Sequence, residues 1–140
     1  MLLPKLIVGS FLTLAMSGLL FAHHNSEPAT GADAMLQHIE ADEHVTMELV
    51  MPHRRASGNQ LLVNFFDADE GMSIQPEAVS VVFMQTDQEE GSAPVVLENN
   101  QPVYFALASG ITEPGEWHMV FSVQLDDQTQ SEFTVTTDFY

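Results

Sequence analysis

The chain has 140 residues, the length of one domain, and it is strongly acidic, with 20 Asp and Glu residues against three Lys and Arg residues and a net charge of −17. So few basic residues cannot form a patch that neutralises nucleic-acid phosphates or an anionic membrane surface, which excludes both as partners. The chain has no cysteine, which excludes disulfides, thiolate metal sites and thiol catalysis.

The N-terminal segment is predicted to be a secretory signal peptide over residues 1–22. Lys5 is the only charged residue in it, and an uncharged apolar run follows over residues 6–21. A positive start before a short apolar run is typical of a cleavable signal, and the small residue Ala22 predicts cleavage after it. A second small-x-small site is Ala32-Asp33-Ala34. The protein is therefore expected to be periplasmic or secreted, with a net charge of −18 after loss of Lys5.

The alternative for this segment is an uncleaved N-terminal anchor. The apolar run covers 16 residues, which is short for a spanning helix, since such a helix needs about 20 residues.

Residues 23–42 are predicted to form a flexible arm that contains a short helix. The first part, residues 23–34, is small and polar, which favours an irregular arm. Over residues 32–41, apolar residues fall near helical spacing and Thr30 is a suitable N-cap, so the pattern predicts a helix there. These apolar residues are Ala32, Met35, Leu36 and Ile39.

Residues 43–140 show the pattern of an all-β domain. Short segments rich in Val and Phe are separated by turn residues, which indicates an antiparallel sandwich or barrel. The seven predicted strands are Val45–Met51, Gln60–Phe66, Ala78–Gln85, Pro94–Leu97, Pro102–Ala108, Glu116–Leu125 and Ser131–Thr137.

Alternation along these strands predicts which side chains face the core. The predicted core residues are Leu61, Val63, Phe65, Val79, Val81, Phe83, Val103, Phe105, Leu107, Trp117, Met119, Phe121, Val123, Phe133 and Val135. Burying one such side chain contributes about 1.5–3 kcal/mol, so a domain of this size does not need disulfides.

The sequence lacks the motifs of an enzyme. There is no G-x-S-x-G elbow, phosphate-binding Gly-rich loop or H-E-x-x-H motif, so we expect no catalytic activity. Asp67-x-Asp69-x-Gly71 is similar to the start of a calcium loop, but Met72 and Ala78 stand where an EF-hand needs Gly and Glu. A polar turn is the simpler interpretation.

His23 and His24 are the first predicted metal ligands. Cleavage after Ala22 would make His23 the N-terminal residue, whose α-amine and imidazole can chelate one metal ion. A second imidazole would complete a nitrogen-rich site suited to Cu(II). The alternative is that the two residues merely lie in a flexible arm.

A second predicted site contains Met51 and His53, in a cluster with His44 and Met47. On a strand, Met47, Met51 and His53 share one face, and imidazole with thioether suits copper. The alternative is that the methionines belong to the core and the histidines to the surface.

His118 is the last predicted ligand. Trp117 and Met119 are predicted core residues, so His118 faces outward, where it can meet the N-terminal arm or only solvent. His38 is predicted to lie on the surface of the short helix.

Three segments between Leu61 and Thr137 carry a family resemblance. They are Leu62-Val63-Asn64-Phe65-Phe66-Asp67-Ala68-Asp69, Val79-Ser80-Val81-Val82-Phe83-Met84 and Glu113-Pro114-Gly115-Glu116-Trp117-His118-Met119-Val120-Phe121. With them, the stretch from Leu61 to Thr137 resembles the YtkA-like and FixH-like extracytoplasmic domains and the C-terminal domains of some copper-uptake proteins. The resemblance implies an immunoglobulin-like β-sandwich, often in copper handling or oxidase assembly.

With His23 at its mature N-terminus, the chain also resembles the periplasmic copper-binding CopC family, which shares the β-sandwich and has a histidine at that position. In that family a later Asp-x-His supplies further ligands. This chain has Glu116-Trp117-His118 instead, so only His23 matches that pattern.

Together these features predict a single-domain, exported immunoglobulin-like β-sandwich that carries or buffers copper, with His23 joined by His24 or His118. Met51 and His53 would form a separate, weaker site. The alternatives are an accessory module that binds no metal and docks on a membrane or secreted protein, and a copper oxidative enzyme with an N-terminal His brace.

Overall fold

The computed structural model describes residues 31–140, and they form two antiparallel β-sheets packed face to face. The predicted signal peptide, His23 and His24 lie outside the described residues. Within residues 31–140, no helix is long and apolar enough to cross a membrane. The prediction of an all-β sandwich is confirmed.

Within residues 31–140, nine strands follow a short 3-10 turn at Gly31–Asp33. The first sheet has the strand order β1-β2-β3-β7-β6, and the second has the order β5-β4-β8-β9. The strands are β1 (Leu36–Ala41), β2 (Val45–Met51), β3 (Gln60–Asp67), β4 (Ala78–Gln85), β5 (Val95–Val96), β6 (Glu98–Asn100), β7 (Val103–Leu107), β8 (Gly115–Gln124) and β9 (Gln130–Phe139).

The core lies between the sheets and follows the alternation of the long strands. In β2, β3, β4 and β8, every second side chain is buried and its neighbours are half-buried or exposed. The predicted core residues of β3, β4, β8 and β9 are all buried. The first predicted strand adds four buried side chains that the predicted core did not include, namely Val45, Met47, Leu49 and Met51.

The predicted inward face of β7 is wrong. Val103 and Phe105 are half-buried and Leu107 is 53% exposed, whereas Tyr104 and Ala106 are buried. Both faces of this strand are apolar, so alternation alone cannot choose between them. The choice is made by Tyr104, whose ring meets the Phe65 ring edge-to-face at 5.4 Å and whose hydroxyl donates to the Pro76 carbonyl at 2.5 Å.

The predicted helix over residues 32–41 is also wrong, because residues 36–41 form the edge strand β1. This strand pairs with the whole of β2, from Leu36 opposite Met51 to Ala41 opposite Thr46. Pairing satisfies the backbone groups of one edge of β2 and extends the sheet, which outweighs a weak helical preference.

The predicted fourth strand, Pro94–Leu97, is shorter in the structure, where only Val95–Val96 pairs with β4. The residues that follow form a further short strand, Glu98–Asn100, which pairs with β7 in the other sheet. Leu97 lies at the crossing; it is buried, and its N–H donates to the Val79 carbonyl at 2.9 Å.

Candidate metal-binding residues

His118 lies on the outer face of the second sheet, at the middle of three hydrogen-bonded strands. It belongs to β8, and the side chains on either side of it, Trp117 and Met119, point into the core. The Trp117 indole donates to the Glu113 carbonyl at 3.0 Å, which fixes the start of β8. His118 itself is half-buried.

A threonine on β9 orients the His118 ring. Nδ1 of His118 lies 2.6 Å from Oγ1 of Thr136, the residue directly opposite on β9. In the tautomer in which Nδ1–H donates to this hydroxyl, Nε2 carries the free lone pair. A hydrogen bond on one ring nitrogen is the usual way in which a protein orients a histidine that binds a metal through the other.

Met84 lies opposite His118 on the other side, and the sequence analysis did not include it among the ligands. The two residues are register partners in β4 and β8, and both are half-buried on the outer face. Directly opposite residues have Cβ atoms about 4.5–5.5 Å apart. The Met84 terminal methyl points towards Gly91, where an added Cβ would lie 3.5 Å from it. The thioether would therefore have to change rotamer to approach the imidazole, a change that the unbranched Met side chain makes readily.

Two carboxylates lie next to this pair on the same outer face. Glu116 and Asp138 are directly opposite each other on β8 and β9, two positions along each strand from His118 and Thr136. Across residues 31–140, no three His, Cys, Asp or Glu side chains converge closely enough to hold a metal ion. The outer face thus offers one imidazole, one thioether and nearby negative charge.

The structure separates the residues of the second predicted site. Met51 is the last residue of β2, and its side chain is fully buried beside those of Met47 and Leu49. The strand ends there, so His53, which follows Pro52, is exposed and does not continue the buried face. An approach of both side chains to one metal ion would require Met51 to leave the core.

The two remaining described histidines each pair with a neighbouring carboxylate. Nε2 of His38 lies 2.8 Å from Oε1 of Glu40, and Nε2 of His44 lies 3.3 Å from Oε1 of Glu43. His38 belongs to an edge strand rather than to a helix surface, which corrects its predicted setting.

The described chain begins beside the edge strand β9. The Arg54 N–H donates to the Ala32 carbonyl at 2.9 Å, and the Arg54 guanidinium donates to Thr137 Oγ1 at 3.2 Å. The Arg55 guanidinium donates to Asp33 Oδ1 at 2.9 Å, and this hydrogen bond holds the pKa of Asp33 below its ordinary value. Ala32 is therefore connected through Arg54 to β9, the strand that carries Thr136.

Comparison with known proteins identifies similar folds but no family. No family model matches the chain, and no curated protein matches it. A copper-bound variant of FetP from uropathogenic Escherichia coli strain F11 is similar with a TM-score of 0.56 and 6% identity, over 75% of this chain and 97% of that chain. FetP of the same strain, as isolated after recombinant expression in the periplasm of E. coli BL21(DE3), is similar with a TM-score of 0.52 and 9% identity, over 75% and 94% of the two chains. At these identities the likeness shows a shared fold.

Proposed function

We propose that this protein is an exported copper-binding protein that carries or buffers the metal and does not turn over a substrate. The observation that carries the proposal is the arrangement around His118, whose Nδ1 is held by Thr136 and whose register partner is Met84. The shared fold with a copper-bound FetP variant supports copper as the metal. The signal-like segment over residues 1–22 supports export.

Cu(II) would be bound by nitrogen donors. His23, placed at the N-terminus by cleavage, would supply its α-amine and imidazole, and Nε2 of His118 or the ring of His24 would supply a third nitrogen. Eight peptide units separate His23 from Gly31, a reach of up to about 28 Å in an extended chain. The proposal requires this segment to pass around the edge of the sheet at β9, to which residue Ala32 is connected through Arg54.

Cu(I) would also be bound by the thioether of Met84. Thioether sulfur is a soft ligand that favours Cu(I), whereas imidazole accepts both oxidation states. Met84 beside His118 therefore lets one face retain copper after reduction. The carboxylates of Glu116 and Asp138 would add negative potential, which attracts cations without selecting among them.

The test begins with the protein exported with its own leader and purified from the compartment it reaches. Its N-terminus is sequenced, and Cu(II) is titrated in competition with a chelator of known affinity. We expect His23 at the N-terminus, and His118→Ala to weaken Cu(II) binding at least about tenfold, the scale on which ligand-shell changes act. The matched control is His38→Ala, which removes a half-buried imidazole on the other sheet.

Met84→Leu separates the two oxidation states. It is expected to weaken Cu(I) binding and to leave Cu(II) binding unchanged, because only the thioether is lost. Equal Cu(II) affinity in wild type, His118→Ala and His38→Ala would refute the assignment to this face. Absence of copper binding altogether would favour an accessory module that docks on another protein.

A further inference from the structure

The outer face of the first sheet is apolar across its central strands. Val50 of β2 is the register partner of Leu62 of β3, which is in turn the partner of Phe105 of β7. All three side chains point away from the core and are half-buried. They form a continuous apolar row over three neighbouring strands, on the outer side of the sheet.

Further apolar side chains widen this row into a patch. Val103 and Leu107 flank Phe105 on the same face of β7, and Leu107 is 53% exposed. Ile39 of the edge strand β1 is 59% exposed on the same side. We call these six residues the apolar face: Ile39, Val50, Leu62, Val103, Phe105 and Leu107.

The apolar face carries little charge in a chain of net charge −17. Of the strand residues that point to this side of the first sheet, only Glu48 and Glu98 are charged. Of the strand residues that point outward from the second sheet, three are carboxylates, namely Glu116, Glu132 and Asp138. Soluble monomers rarely expose a continuous apolar patch of several hundred Å², so such a patch marks a surface that binds something.

We propose that the apolar face binds the same face of a second copy of this chain. Contact through other surfaces would bring carboxylates of the two copies together, whereas here mainly uncharged side chains meet. The strand order makes the face self-complementary, because β3 is the central strand. A two-fold axis along β3 sets Leu62 against Leu62 of the second copy, and Val50 against Phe105 of the second copy.

The size of the face indicates a reversible dimer. Five strands about 4.8 Å apart and about six residues long cover a footprint of roughly 500 Å² on each copy. A stable interface of standard size buries about 800 Å² on each partner, so the dimer should dissociate on dilution. Glu48 and Glu98 lie within this five-strand footprint and would be desolvated on association, which weakens the dimer further.

The test is the oligomeric state of the exported protein, measured by sedimentation velocity between about 1 and 300 µM, a range that covers micromolar affinity. Wild type is expected to shift from monomer to dimer as its concentration rises. Leu62→Glu introduces two unpaired charges into each dimer and should weaken dimerisation at least about tenfold. Val120→Glu is the matched control, since Val120 is a half-buried residue on the outer face of the second sheet.

Glu48→Gln tests the same surface in the opposite direction and does not endanger folding, because Glu48 is half-buried and forms no ion pair among residues 31–140. It should strengthen dimerisation by removing a charge that must be desolvated. A wild type that stays monomeric up to about 300 µM would overturn the proposal, even if the monomer bound lipid vesicles or another protein. Equal weakening by Leu62→Glu and Val120→Glu, or no gain with Glu48→Gln, would also overturn it.

Discussion

Tyr104→Phe is the sharpest test of how β7 is oriented. The substitution removes one hydroxyl group and keeps the ring, so the edge-to-face contact with Phe65 is retained. The hydroxyl donates to the Pro76 carbonyl, and Tyr104 is only 2% exposed. Without this donor the carbonyl is left without a partner in a site that water does not reach.

The expected cost follows from that loss. A buried acceptor that loses its only partner costs about 1–3 kcal/mol, more than the net value of an ordinary hydrogen bond. For a domain of about 100 residues, a loss of 1 kcal/mol lowers the midpoint temperature by roughly 4–8 °C. We expect Tyr104→Phe to destabilise the fold within this range, and Phe105→Leu on the outer face to cost less than about 1 kcal/mol.

Urea unfolding at constant slope measures the free energy of unfolding of both variants. A larger loss of this free energy for Phe105→Leu than for Tyr104→Phe would show that β7 presents its other face to the core.

Alkaline titration gives an independent check. Burial raises the pKa of Tyr104 in the folded protein. The neutral side chain therefore contributes fully to the free energy of unfolding below the unfolded pKa, and this contribution is lost as the pH rises through the folded pKa. Tyr104→Phe should remove this alkaline loss.

Two further substitutions test packing and acid stability. Gly110→Ala would place a Cβ against the buried ring of Phe83. The overpacking should lower the free energy of unfolding by about 1–3 kcal/mol, which urea unfolding measures. An unchanged urea midpoint would contradict this packing. Asp126 accepts hydrogen bonds from the N–H groups of Gln128 and Thr129, and these lower its pKa, the former most strongly. The stabilisation is complete above the unfolded pKa near 3.8 and is lost as the pH falls through the lower folded value. Because Asp126→Asn keeps an acceptor oxygen without titrating, it should lose less stability than wild type between pH 5 and pH 3, and equal losses would show that Asp126 does not contribute.

Alternation predicted the buried face of β8 well because the two faces of that strand differ in polarity. In β8, the run from Trp117 to Val123 alternates between large apolar and smaller or polar side chains, and the structure buries the apolar set. In β7 the side chains on both faces are apolar, so alternation could not show which face is buried. A tyrosine in such a strand is a usable signal, because its ring favours burial where the hydroxyl can reach an acceptor.

The helix predicted over residues 32–41 is wrong for a different reason. The spacing of Met35, Leu36 and Ile39 fits a helix, yet Met35 and Ile39 are 59% exposed in the structure. Only Leu36 packs against the core. The local spacing therefore indicated an amphipathic helix, although most of its apolar residues have no core to pack against. Pairing with β2 instead extends the first sheet, which agrees with the strand pattern of the rest of the sequence.

The sequence located His118 on an outer face, but it did not reveal Met84. The two residues are 34 positions apart, and their proximity depends on the register between β4 and β8. Register follows from which residues each strand buries and from the turns between strands, so it becomes visible only when the sheet is assembled. The same limit applies to Met51 and His53, whose assumed common face ended with the strand at Met51.

The proposed copper site and the proposed dimer surface lie on opposite outer faces of the sandwich, so each can fail without the other. His118 and Met84 belong to the second sheet, whereas Leu62 and Glu48 belong to the first. Sites separated by a packed core and sharing no partner are expected to contribute additively. His118→Ala should therefore leave the dimerisation constant unchanged, and Leu62→Glu should leave the affinity for Cu(II) unchanged. Coupling between the two measurements would contradict the assignment of the two sites to opposite faces of the sandwich.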